Sequence, residues 1–266
     1  MIRIIKEPTV AVIGRTTFDR EAMQPYLDGI DAGSWDTDAR GGDALAESAG
    51  RICYRSFANP RPGGNHAYLE RIKSEGHGSV LEHASWTLLF TGISRNLAME
   101  FIRHRAGFSY SMRSQRYCDD SEVGFVVPPA LIPAIEATGA RFVDGEGGYV
   151  VGGDHDGPFA YTAMAELWML SVAQAVDSYE AIAERLPATT DPRLPATAAR
   201  KAAREAARSV LPGCTATELV ATGNGRSWRT MLEQRGSLHA DAEFRRLAVV
   251  ILGVLKKESP NIFGDM

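Results

Sequence analysis

The chemistry in this chain gathers first in residues 101–117, FIRHRAGFSYSMRSQRY, where Arg103, His104, Arg105, Arg113 and Arg116 stand among serines and aromatics. The whole chain carries 29 Lys and Arg against 33 Asp and Glu, a formal net charge of -4. The positive charge is therefore a local device and not a general basic surface. Arginine's planar fork can donate two parallel hydrogen bonds to a phosphate or to a paired carbonyl edge. Two further sets share that potential. Asn224, Arg226 and Arg235 fall within one short stretch, and Arg200, Arg204 and Arg208 recur every four residues along one helical face. Arg200 and Arg204 read as a solvated stripe, whereas Arg208 directly precedes SVLP, where the helix must stop and its group could project into a cleft. Arg, His and Ser drawn from separate segments point to a nucleotide-sized polyanion. Ordinary salt bridging with the acidic groups is the alternative.

Other chemistries lack their residues. There is no GxxxxGK[ST] loop, TGNGRSW lacks GxGxxG spacing, and no GxSxG elbow occurs. The six histidines, His77 and His83 among them, have neither HExxH spacing nor a cysteine pair beside them, so no metal site is expected. Cys214 in LPGCTAT has no evident basic neighbour to make it a thiolate. Three widely spaced cysteines, Cys53, Cys118 and Cys214, suit a reducing cytoplasm. No apolar run reaches the roughly 20 residues of a membrane span, and the charge balance argues against nucleic-acid or membrane-surface binding.

The elements that must position these groups follow from periodicity. TVAVIG (9–14) reads as a short buried strand, and a Gly/Asp-rich stretch separates it from a helix in ALAESAGRICYRS. HAYLERIKSEGHG predicts a helix capped by Gly76, and ASWTLLFTGIS (84–94) a central strand. RNLAMEFIRHR returns to helical spacing, and GFVVPP is a strand stopped by prolines. Residues 138–158 predict a hairpin or a mobile surface loop. A helix over 159–186 should turn Met164, Leu167, Trp168, Val172, Ala175, Tyr179 and Ile182 to one face. PATAARKAAREAARSVLP is helical, TATELVATG a weak strand and RSWRTMLEQR a short helix. DAEFRRLAVVILGVLKK is a last helix, with Phe244, Leu247, Ala248, Ile251 and Leu255 inward. With no βαβ rhythm, no repeat and no linker, the expectation is one α+β domain over 1–266.

With these segments in view, the chain resembles the flavin-dependent thymidylate synthases. The resemblance rests on Arg103-His104-Arg105 followed by Ser114-Gln115-Arg116-Tyr117. It extends, in the family's order, through HGSVLEHASWTLLFTGISR, FVVPP, AAREAARSVLP, TGNGRSWRTMLEQR and HADAEFRRLA. It implies an antiparallel sheet flanked by helices, in a homotetramer whose active sites draw on more than one subunit. FAD would be held by Arg103, His104, Arg105, His77, Ser79, Asn224, Arg226 and Thr230, the last where the family more usually has Asn or His. Glu100, Arg103, Met112, Arg113, Ser114, Gln115, Arg116, Arg208 and Arg235 would surround a dUMP or UMP nucleotide. Arg235 would polarise the uracil ring in place of a nucleophilic cysteine. Methylenetetrahydrofolate would give the carbon, and NADPH would reduce the flavin.

One departure stands out. Eight residues, not the family's seven, separate Arg105 from Ser114, so the extra one lies near Ala106-Gly107 or near Met112-Arg113. Met112 replaces a usual Glu or Gln, and Arg113 replaces an apolar residue. A site loosened there would discriminate a sugar hydroxyl poorly. That implies use of both UMP and dUMP, as in the branch of the family serving polyoxin-type nucleoside antibiotic biosynthesis. Strict use of dUMP remains an alternative, and a non-catalytic nucleotide- or RNA-binding protein is a third reading.

Overall fold

The computed structural model describes residues 2–33, 35–58, 62–139, 141–145, 148–152, 159–189 and 193–266. Strands β1 (Arg3–Ile5) and β2 (Thr9–Arg15) lead into helices α1 (Arg20–Gly29), α2 (Gly41–Tyr54) and α3 (Gly64–Ser74). A 3-10 turn over Gly78–Glu82 precedes β3 (Ser85–Ser94), α4 (Arg95–Phe101) and β4 (Phe108–Met112). Next come β5 (Gly124–Val126), α5 (Ile132–Thr138), β6 (Arg141–Gly145), β7 (Gly148–Gly152) and α6 (Phe159–Arg185). The chain ends with α7 (Ala196–Ala207), β8 (Ala216–Asn224), α8 (Gly225–Arg235), α9 (Ala242–Glu258) and α10 (Pro260–Phe263). The class is α+β. The main sheet has the order β2-β3-β8-β4, while β1 pairs with β5 in parallel and β6 with β7 as an antiparallel hairpin.

Two compact units emerge. The first comprises Met1–Thr9, Thr91–Phe101 and Met112–Leu219; the second comprises Val10–Phe90, Ile102–Ser111 and Val220–Met266. In the first unit, Phe125, Val127, Ile135, Ala165, Met169, Val172 and Val176 form a buried cluster, and Cys214 packs against it. Burying such side chains stabilises by about 1.5–3 kcal/mol each. In the second unit, Trp228 of α8 is fully buried, with Phe90 at 6.4 Å and Phe108 at 4.8 Å.

Local rules explain most boundaries. Helix α3 ends in a Schellman motif: Gly76 adopts φ +73, its N–H donates to the Lys73 carbonyl, and His77 N–H donates to that of Ile72. Helix α9 begins where the Asp241 side chain accepts from the Glu243 and Phe244 amides, and it buries all five residues expected of it. Two expectations need correction, and one helix was not expected. Strand β2 is an edge strand with no fully buried residue; its side chains alternate between exposed and half-buried as they face opposite sides of the sheet, and Ile13 is exposed. Ahead of the polar stretch lies α1, which begins under an Asp19 cap and tolerates Pro25. On α6 the buried stripe runs through Ala165, Met169, Val172, Val176 and Tyr179, leaving Met164 and Leu167 exposed.

Candidate functional site

In the second unit a cleft of about 480 Å³ is lined by His104, Arg105, Ala106, Gly107, Phe108, Asn224, Arg226, Ser227 and Thr230, with Glu82, Met231 and Gln234 completing it. Its floor is set by the β8–α8 junction. The Asn224 side chain caps α8 by accepting from the Ser227 amide at 2.8 Å, and Gly225 N–H donates to the Ala84 carbonyl at 2.8 Å. That places Arg226 in the first turn of a helix, where backbone N–H groups and the helix dipole favour an anion. Arg226 donates to Glu82 at 2.8 Å across the cleft lining. Glu82 lies far from residue 226 in sequence and is paired only by the fold, so spacing alone gave no signal for it.

The facing wall is the turn after the Arg-His-Arg triplet. Gly107 sits at φ +72, and a Cβ there would meet Ser227 Oγ and Asn224 Nδ2. Ser227 Oγ donates to the Ala106 carbonyl at 2.7 Å, locking this turn to α8. Strand β4 then runs unbroken from Phe108 to Met112, and the Arg113 amide donates to the Glu218 carbonyl at 3.0 Å. The chain turns at Ala106-Gly107, whereas the stretch at Met112-Arg113 keeps regular pairing.

His104 and Arg235 meet beside this cleft. Arg235 Nε–H donates to His104 Nε2 at 2.9 Å, so that nitrogen carries no proton and the ring is neutral. Burial, and then the Arg235 charge, hold the His104 pKa below its ordinary value. The Arg235 guanidinium also lies 4.8 Å from the Phe244 ring centre, and the His104 ring meets the same ring edge-on at 5.9 Å. Tyr110 donates its hydroxyl to the His104 carbonyl, fixing the backbone behind the pair. The guanidinium fork of Arg235 is thereby aimed by a neutral acceptor and an aromatic face.

Not every expected flavin residue lines this cleft. His77 instead lines a cavity of about 500 Å³ with Arg51, Tyr54, Tyr68 and Ile72. Ser79 and Arg103 are exposed and are not among the cleft's described lining. The residues that do line it suit a group with phosphates: Arg105 and Arg226 are cations, Asn224 opens the helix end, and Gly107 lets the turn pack closely against Ser227 and Asn224.

The expected nucleotide residues gather mainly in the first unit. Glu100 is half-buried in the last turn of α4, and Met112 ends β4. The Ser114 carbonyl accepts from the Tyr117 and Cys118 amides, which curls the segment into a turn. Gln115 is only 7% exposed, and its Nε2 is buried without a protein partner. Arg116 Nε lies 2.8 Å from Glu205 Oε2. Arg208 is half-buried at the C-cap of α7, and its charge is felt by Arg95. Helix α7 also holds this segment through Lys201 to the Tyr117 hydroxyl at 2.8 Å and Arg204 to Asp119 at 2.7 Å. Arg204, read as solvated from sequence, is therefore engaged. The cue was its position one turn before Arg208.

Comparison with known proteins places the chain in a family. The profile of the thymidylate synthase complementing protein family matches residues 37–261. The chain is 42% identical over 233 residues to a flavin-dependent thymidylate synthase of Mycobacterium sp. (strain KMS), covering 87% of this chain and 82% of that one. It is 43% identical over 237 residues to the flavin-dependent thymidylate synthase of Mycobacteroides abscessus, with the same coverage. Among solved structures, the UMP/dUMP methylase PolB of Streptomyces cacaoi bound with 5-Br UMP shares the fold at a TM-score of 0.63 and 21% identity, covering 99% of this chain and 96% of that one. The same enzyme bound with 5-Br dUMP gives a TM-score of 0.66 at 20% identity. On sequence and architecture together, the chain belongs to the thymidylate synthase complementing protein family.

Proposed function

We propose that the protein methylates C5 of a uridylate nucleotide, with methylenetetrahydrofolate as carbon donor, FAD as redox cofactor and NADPH as its reductant. The observation that carries this is Arg235, a cation held by neutral His104 and the Phe244 face beside a cleft whose residues suit a flavin. Bound flavin, once reduced, supplies the hydride that completes the methyl group. Arg105, Asn224 and Arg226 would hold its phosphates, with Thr230 and His104 against the remainder. The other expected contacts, Ser79, His77 and Arg103, stand as part of the proposal. Arg235 would stabilise negative charge developing on the uracil carbonyl edge, which makes C5 electron-rich without a nucleophilic cysteine. Ser114, Gln115, Arg116 and Arg208 would bind the nucleotide, with the two arginines on its phosphate, and Glu100 would contact it too.

Both dUMP and UMP are proposed substrates. Met112 brings no hydrogen-bonding group to the place where the family has Glu or Gln, and a site lacking such a group rejects an extra hydroxyl weakly. Strict dUMP use is the second reading, favoured by the regular pairing at Met112-Arg113. The protein is further proposed to act as a cytoplasmic homotetramer with shared active sites. No described helix is long and apolar enough to cross a membrane. The test is tritium release from C5-labelled dUMP and UMP in parallel, with FAD, NADPH and methylenetetrahydrofolate. Release from both is expected; release from dUMP alone selects the second reading, and release from neither rejects the methylase.

A further inference from the structure

Arg113 directly follows β4, and its surroundings explain what its charge does. Its guanidinium Nη2 donates to the Asp119 carbonyl at 2.8 Å and lies 2.7 Å from Asp120 Oδ1. Its Nε is 3.6 Å from Glu218 Oε2 on β8, and its backbone N–H donates to the Glu218 carbonyl. One side chain therefore joins the start of the segment, its end, and the neighbouring strand. We propose that Arg113 is a positioning residue that closes residues 113–120 into a clasp, presenting Ser114, Gln115 and Arg116 to the nucleotide without touching it. The inference rests on reading that segment as the uridylate site.

The far end of the clasp is firmly built. Asp120 is 1% exposed, and its amide donates to the Tyr179 hydroxyl of α6 at 3.0 Å. The Asp120 charge also favours the charged form of Arg95, and Arg204 holds the adjoining Asp119 carboxylate. Burial is the largest single influence on the Arg113 charge and opposes it, but Asp120, Cys118 and Glu218 together outweigh it, so its pKa stands above the ordinary arginine value. Removing the cation would leave a buried carboxylate short of a partner, which is costlier than losing an exposed pair. A planar fork is required because one nitrogen serves a carbonyl and a carboxylate while another faces Glu218. A lysine offers a point charge without that span.

Between the two ends lie the groups that would meet a ligand. Ser114 turns the chain, Gln115 Nε2 is a buried donor without a protein partner, and Arg116 is taken by Glu205. Their placement depends on where residues 113 and 120 are held, and a small displacement of a binding group reduces affinity steeply.

The test compares Arg113→Met, Arg113→Lys, Asp120→Asn and the Arg113→Met/Asp120→Asn double variant in steady-state tritium release, with flavin content and Tm measured alongside. Arg113→Met should raise the nucleotide KM about tenfold while kcat stays within about twofold and flavin content is unchanged. Arg113→Lys should recover part of that loss. The double variant should be no worse than Arg113→Met, because the two residues act as one unit. An unchanged KM in Arg113→Met, or losses that multiply in the double variant, would overturn the proposal. Should Arg113→Met fail to fold, Arg113→Lys decides: a raised KM at constant kcat supports the clasp and an unchanged KM rejects it. Wild-type protein that binds neither dUMP nor UMP in calorimetry would reject the uridylate reading itself, before any variant is compared.

Discussion

A neutral imidazole can accept Arg235's hydrogen bond at Nε2 and a protonated one cannot, so the protonation state of His104 decides where the Arg235 fork points. Burial first, and the Arg235 charge second, lower the His104 pKa from its ordinary 6.5. A histidine whose folded pKa is depressed contributes stability that is present above its unfolded value, and that contribution is lost as pH falls through the folded value. Activity should therefore show an acid limb below pH 6.5 that reports loss of Arg235's orientation. In Arg235→Met the His104 pKa, followed by NMR of the ring, should rise yet stay below 6.5, since burial persists. No movement at all would mean that the arginine charge contributes nothing there. The same variant should lose about 10²–10³ in kcat while retaining flavin, the effect of removing one preorganised charge-stabilising donor. Full activity would remove Arg235 from the chemistry.

At the scale of elements, the cleft depends on two pieces fitting: the turn at Ala106-Gly107 and the first turn of α8. Gly107 must keep its left-handed backbone, and an added Cβ would collide with Ser227 and Asn224. Gly107→Ala is expected to cost about 1–3 kcal/mol in strain and to weaken FAD binding measured by fluorescence quenching, while leaving the dUMP-to-UMP ratio unchanged. A changed sugar ratio would instead tie the extra residue to the nucleotide. Asn224→Ala should cost about 1 kcal/mol by removing the α8 cap, read as a lower Tm. These elements were unevenly legible from sequence. The stripe of α9 could be read in full because a single apolar face at helical spacing has one solution. Helix α6 carries apolar residues on two faces, so its periodicity could not say which one is buried. Strand β2 looked buried by composition, but it lies at the edge of the main sheet and has no fully buried residue, and only the strand order reveals that position. His104, Arg105, Asn224, Arg226 and Thr230 were readable as one site because the motif carries them. The placing of His77 in another cavity, and the Glu82–Arg226 pair, arise from tertiary contacts that no local spacing encodes.

At the scale of the whole molecule, the negative net charge and the concentrated arginines are compatible because several of these cations already have acidic neighbours: Arg113 with Asp120, Arg116 with Glu205, Arg204 with Asp119 and Arg226 with Glu82. A nucleotide phosphate reaching Arg116 would compete with Glu205 for it. What those pairs leave unexplained is apolar surface. Met164, Leu167 and Leu170 are three residues apart in turn along α6, and all are exposed, Leu167 by 67%. Side chains at that spacing share one helix face, and an exposed apolar face of this kind marks an interaction surface. The proposed homotetramer supplies a partner of matching chemistry, a second copy of the same chain. Leu167→Glu should then shift the protein to a smaller species in sedimentation velocity. Folding of the separate chain should be unaffected, since a surface leucine contributes little to its own core. If active sites are shared between subunits, activity should fall in step with the assembly and recover at high protein concentration. An unchanged sedimentation coefficient would show that this face is not the interface, and lost activity at unchanged mass would place α6 within the site's own support.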